Sequence, residues 1–191
     1  WKEELLNKKS EYEIEKEIGE NTKPYVDYIG PVLPVSTSFK YSASQQIYTK
    51  EELNFASSTD VKITSISFRV YGNINSGKTD AVEIYVQNTD KSEFANLRDW
   101  IQVTDNDKVF DGQYVMPSDG EWVTFTFDKP IVYTGGNLLV GAKRQDDNLQ
   151  QSGFYVYDTE NIRSLCGAND NNDPVNNYVD ATALYKVNTI K

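Results

Sequence analysis

The sequence predicts an all-β fold, a two-sheet antiparallel sandwich. Three observations predict it: short apolar runs that alternate with polar residues, Gly/Asn/Asp/Ser clusters between those runs, and no helical run long enough to connect parallel strands. The chain has 191 residues, which suits one domain plus an extension.

Taken in order, residues 1–20, WKEELLNKKSEYEIEKEIGE, are dense in Lys and Glu and stop at Gly19. At helical spacing Leu5, Tyr12, Ile14 and Ile18 form a ragged stripe with Gly19 at a C-cap, and a short helix is favoured. At period two Tyr12, Ile14 and Ile18 also alternate with charge. Residues 1–30 read as a charged N-terminal extension or linker, helical or extended, and 31–191 as the sandwich domain. Pro24, Pro31 and Pro34 punctuate an extended entry.

In VKITSISFRVYG, Ile66, Phe68 and Val70 share one face while Ser65, Ser67 and Arg69 share the other. Ile63 is out of phase with them, which predicts a bulge before Ile66. AVEIYVQ places Val82, Ile84 and Val86 opposite Glu83, Tyr85 and Gln87, and the polar NINSGK between the two runs suggests a hairpin. EWVTFTF sets Val123, Phe125 and Phe127 against Trp122, Thr124 and Thr126. NLLVGAK, GFYVY, RSLC and ATALYKV bring the strand total to nine or ten, with short helical turns predicted at 50–53 and 91–97.

Composition excludes much chemistry. The chain has no histidine and one cysteine, which removes Ser-His-Asp and Cys-His catalysis and His- or Cys-clustered zinc. Cys166 reads as a buried strand residue. A net charge of -10 without a basic stripe argues against nucleic acid and anionic membranes, and no apolar run reaches transmembrane length.

The segments YSASQQIYTKEEL, ITSISF, VEIYVQNTDKSEF, DWIQV with VFDG, EWVTFTFDKPIVYTGGNLLVGAK and NIRSLCGANDNNDP, in that order from Val32 to Ile190, resemble the cleaved-adhesin-type jelly-roll modules of Bacteroidetes secreted and surface proteins. Related modules form the haemagglutinin-adhesin regions attached to gingipain proteases. The resemblance implies jelly-roll topology, extracellular or cell-surface display as one module of a larger protein, no catalytic activity, and structural calcium. It departs from the family at RQDDNLQQSGF, where the glycine of an Asp-Asp-Asn-x-Gly run arrives late, at Gly153.

Calcium takes six to eight oxygens, from carboxylates, amides and carbonyls. Candidate ligands are Asp105 and Asp107 in TDNDKVFDG, Asp146 and Asp147 in RQDDN, and Asp170 and Asp173 in GANDNNDP. The last stretch has EF-hand-like spacing, but Pro174 occupies the position that needs a glycine, so any site would be assembled from several loops. Asn and Asp are equally ordinary turn residues. Tyr85, Tyr155 and Tyr157, opposite inward-facing neighbours, are candidate outward rings for stacking on sugar; cross-strand packing is the plainer reading. Trp100 and Trp122 read as packing residues. The expectation is a non-catalytic, monomeric adhesion module that contacts glycan or host matrix protein. The alternative is a carbohydrate-binding module accessory to a polysaccharide-degrading enzyme.

Overall fold

The computed structural model describes residues 13–26, 32–55, 61–151, 153–171 and 181–191. Their elements run in the order β1 (Lys23–Tyr25), β2 (Tyr41–Tyr48), α1 (Lys50–Leu53), β3 (Lys62–Tyr71), β4 (Thr79–Thr89), β5 (Lys108–Val115), β6 (Trp122–Val132), β7 (Asn137–Gln145), β8 (Gly153–Asp158), β9 (Ser164–Asn169), β10 (Thr182–Leu184) and β11 (Lys186–Asn188). The result is the predicted all-β, two-sheet antiparallel sandwich. One sheet has the order β1-β8-β3-β6 with β11 also on β8, and the other has the order β10-β9-β2-β7-β4-β5. The four pairs β1·β8, β2·β7, β3·β6 and β4·β5 are nested inside one another in sequence.

Alternation sets the inner faces. Ile66, Phe68, Val70, Val123, Phe125, Phe127 and Phe154 of the first sheet meet Val82, Ile84, Val86, Val140 and Ala142 of the second in a single core. Phe125 is its aromatic centre, in edge-to-face contact with Phe68, Phe110 and Tyr114 at centroid distances of 6.0, 5.1 and 5.3 Å. The predicted irregularity in β3 is present, a register shift against β6 between Ile63 and Ser65. Cys166 is buried in β9. At 50–53 the predicted helical turn is α1, started by a capping box in which Thr49 and Glu52 bond each other's backbone N–H.

The polar centre of the sandwich is an amide pair. Gln46 of β2 donates through Nε2 to Asn188 Oδ1 (2.7 Å) and accepts the Asn188 N–H at Oε1 (2.7 Å), tying the two sheets together. The C-terminal residues continue beside β3, where Ser67 and Lys191 exchange backbone hydrogen bonds.

Three expectations change. Residues 13–20 are not helical: Ile18 forms an antiparallel bridge with Ile190 and joins the core while Ile14 stays exposed, so the stripe does not hold at either spacing, and residues 1–12 lie outside the described ones. β3 and β4 are not a hairpin. They belong to different sheets, so the NINSGK segment crosses from one sheet to the other. Residues 91–97 form bends and turns rather than helix, because Phe94 is drawn into a second small core on the outer face of the six-stranded sheet. There it joins Ile47, Leu139, Leu165 and Ala181, flanked by Trp100, Ile101 and Val103. Among the described residues no helix is long and apolar enough to cross a membrane.

Phe68 is fully buried where β3, β6 and Ile190 meet. Phe68→Ala should cost about 3–5 kcal/mol in urea unfolding, whereas Tyr185→Ala, at an exposed ring, should change stability by no more than about 0.5 kcal/mol.

Candidate functional site

β2, β7 and β9 place their ends together: Tyr41 faces Gln145 on one side and Asn169 on the other. At this same end β3 finishes, β4 begins, β5 finishes and β8 begins, so the loops 32–40, 72–78, 116–121 and 146–151 converge.

Arg144 organises the convergence. Its side chain is fully buried and its Nε donates to both oxygens of Asp80 at 2.9 and 3.0 Å. Nη1 donates to the carbonyls of Phe39 and Asp146 (the latter at 3.0 Å), and Nη2 to that of Asn148 at 2.6 Å. With the Lys40 carbonyl 3.5 Å from Nη1, one guanidinium thus gathers a carboxylate and four carbonyls from three chain segments, in a geometry that suits its planar fork of donors. Burial pushes the Asp80 carboxyl up, against the opposing hydrogen bond and charge of Arg144. Burial, and after it the charge of Asp80, pushes the nearby Tyr114 hydroxyl up as well.

The loops this cation holds form one wall of a groove. The Gln150 N–H donates to the Thr37 carbonyl at 2.7 Å and its side-chain amide to the Thr79 carbonyl at 3.0 Å, while Asn75 Nδ2 donates to the Gln151 carbonyl. The other wall is zipped from loops 72–78 and 116–121: Gly72 N–H to Asp119 Oδ1 at 2.9 Å, Asp119 N–H to Asn73 Oδ1 at 2.8 Å, and Gly77 N–H to the Met116 carbonyl at 2.8 Å. Tyr71, Asn73, Ile74, Asp119 and Gln151 line the resulting hollow of about 310 Å³, with buried Met116 and Val70 also lining it. Tyr71 lies across Gly153, where a Cβ would come within 3.1 Å of its ring and 2.5 Å of Val26, so this position admits only glycine without rearrangement. Tyr155 stands edge-on to Tyr71 at 5.7 Å, with the Arg69 guanidinium 4.6 Å from its ring centre.

The predicted site residues are divided by this geometry. Asp146, Asp147 and Asp170 do meet at one corner, around Lys40. Asp147 pairs with Lys40 Nζ at 2.6 Å, Asp170 accepts the Lys40 N–H at 3.0 Å, and Asp146 accepts the Asn148 N–H at 2.8 Å. The Asp147 hydrogen bond raises the Lys40 pKa. Asp105 and Asp107 lie apart, in the turn before β5, where Asp107 accepts the N–H and hydroxyl of Thr104 at 2.8 and 2.9 Å. Among the described residues no group of three or more acidic, His or Cys side chains could hold one metal ion. The described carboxylates at the corner are engaged by the Lys40 ammonium and by backbone N–H groups. Asp173 lies outside the described residues.

Of the three tyrosines, only Tyr155 is partly exposed. Tyr157 is 8% exposed, its hydroxyl donating to Glu52 at 3.0 Å and accepting from Arg163 at 3.3 Å, with Gly19 of the N-terminal segment against its ring. Tyr85 is 6% exposed, its hydroxyl on Glu83 and the Lys143 ammonium 5.5 Å from its ring centre. Burial raises both hydroxyl pKa values. The outward exposure expected of Tyr85 and Tyr157 is thus corrected: both rings are buried, and Tyr157 packs in the main core. Tyr71, Asn73 and Asp119 carry no sequence signal beyond turn chemistry; the juxtaposition that makes them a groove is tertiary.

No family model matches the chain, and no curated protein matches it in sequence.

Arg144→Met should lower stability by about 3–5 kcal/mol, because it strands the Asp80 carboxylate in the core. Adding Asp80→Asn should recover a substantial part of that loss, read as a non-additive cycle in urea unfolding. Additive losses would show that the pair is not the organising contact.

Proposed function

We propose that the chain is a non-catalytic binding module of jelly-roll type, displayed outside the cell or on its surface within a larger secreted protein, and that it adheres through its loop end. The observation that carries the reading is the groove itself: the four converging loops are braced by a buried cation and by one another, and they leave an open concavity of mixed apolar and polar lining, which is the usual form of a small-ligand site.

The nested strand pairs support jelly-roll topology, since rolling up one long hairpin pairs first with last and second with second-last. The resemblance of residues 32–190 to cleaved-adhesin modules supports display and adhesion. Binding rather than cleavage is favoured by the groove's chemistry. Asp119 is the one acid among its described lining residues, and its carboxylate is engaged by the Gly72 N–H, whereas glycoside hydrolysis uses two carboxyl groups facing the bond.

Ile74 is 69% exposed at the groove rim, so Ile74→Arg should leave the fold intact. In surface plasmon resonance over immobilised matrix proteins and glycans, this substitution should weaken retention at least about tenfold, while Leu97→Arg, at an exposed site on another loop, should leave retention unchanged. Equal retention of wild type and Ile74→Arg would remove the loop end as the contact surface.

A further inference from the structure

We infer that the groove between loops 72–78, 116–121 and 146–151 binds a neutral oligosaccharide, with Tyr71 as the stacking ring and the Asn73–Asp119 pair reading adjacent hydroxyls. The inference rests on the binding-module reading and names its ligand.

The polar chemistry comes first. The Asp119 N–H donates to Asn73 Oδ1 at 2.8 Å, which holds the amide and the carboxylate side by side. Asp119 spends Oδ1 on the Gly72 N–H at 2.9 Å. Among the described residues, Asn73 Nδ2 and Asp119 Oδ2 have no protein partner, and both side chains are exposed. A free amide donor next to a free carboxylate acceptor complements vicinal hydroxyls, each of which both donates and accepts. The carboxylate strengthens its bond by charge.

The apolar half is adjacent. Tyr71 is 36% exposed and lines the same hollow. Its ring is held by Gly153 beneath it and by the Tyr155 edge, and Tyr155 is itself braced by Arg69. A ring fixed in this way loses little entropy when a sugar's C–H face stacks on it. Ile74 and Leu149, 69% and 54% exposed, extend the apolar rim along a second hollow that continues past Asn75 and Gln151, so the groove has length for more than one sugar ring.

Charge selects the class. The chain carries a net charge of -10 and the carboxylate of Asp119 lies in the first hollow, while Lys78, the cation lining the second, is bonded to Asn75 Oδ1 at 3.0 Å; the balance disfavours sulfated, uronic or sialylated glycans and phosphate groups. A neutral hexose or pentose polymer meets no such repulsion.

The test is isothermal titration of the chain with neutral cello-, xylo-, manno- and galacto-oligosaccharides, with hyaluronan fragments as the anionic comparison. At least one neutral series should bind, and the anionic one should not. Tyr71→Ala should weaken binding at least about tenfold. Asp119→Asn keeps an oxygen for the Gly72 N–H while replacing the free acceptor with a donor, so it should cause a similar loss with an unchanged thermal midpoint. Tyr185→Ala, at an exposed ring remote from the groove, should bind as wild type does. No binding to any neutral series, or equal loss in Tyr185→Ala, overturns the inference. If sugars are ignored while matrix proteins are retained in an Ile74-dependent manner, the glycan fails and the binding module stands; if neither is retained, both fail.

Discussion

The loop end of this protein depends on one buried guanidinium. Arg144 lies between the sheets with Asp80 against its Nε and carbonyls of residues 39, 40, 146 and 148 around its remaining donors. A buried pair of this kind contributes little net stability, since desolvation offsets much of the attraction. What it does contribute is position: any shift of these loops would strand a carboxylate or a carbonyl in a medium that cannot solvate it. The groove inherits that rigidity through Gln150 and Asn75, which continue the same hydrogen-bonded chain of loops.

The second organising feature is what lies over the sheets. The outer face of the six-stranded sheet is covered by residues 94–103, where Gln45 bonds both the N–H and the carbonyl of Ile101, at 2.7 and 2.6 Å, much as a neighbouring strand would. Gly19 lies against the ring of Tyr157, and Ile18 beside it bridges Ile190. Tyr71 of the five-stranded sheet stays open to solvent near the loop end, and that is where an aromatic ring and spare polar groups coincide.

Particular residues show how far the sequence was legible. Ile66, Phe68 and Val70, the shift after Ile63, the inward Val123, Phe125 and Phe127 and the helical turn at Lys50–Leu53 follow from local pattern, which acts over a few residues, and the burial of Cys166 from the ordinary behaviour of a free cysteine. Asp146, Asp147 and Asp170 meet at one corner around Lys40, a grouping that residue spacing along the chain does not reveal. The β3–β4 hairpin and the helix at 91–97 failed for two reasons, both tertiary. A polar linker with a glycine fits a hairpin and a sheet crossing equally well, and the outer-face core of Ile47, Leu139 and Leu165 outweighs the weak helical preference of residues 91–97.

By itself the sequence determined the class of fold, the inward residues of each strand, and the exclusion of histidine- and cysteine-based chemistry, because these depend on side-chain identity and on the period-two backbone. Only the tertiary structure decided which strands pair, that Tyr85 and Tyr157 are covered while Tyr71 is open, and that Asn73 stands beside Asp119. Alternation says which face of a sheet a residue occupies. Whether another layer of chain covers that face is settled by contacts between residues far apart in sequence, as Gly19 on Tyr157 and Ile101 on Gln45 both show.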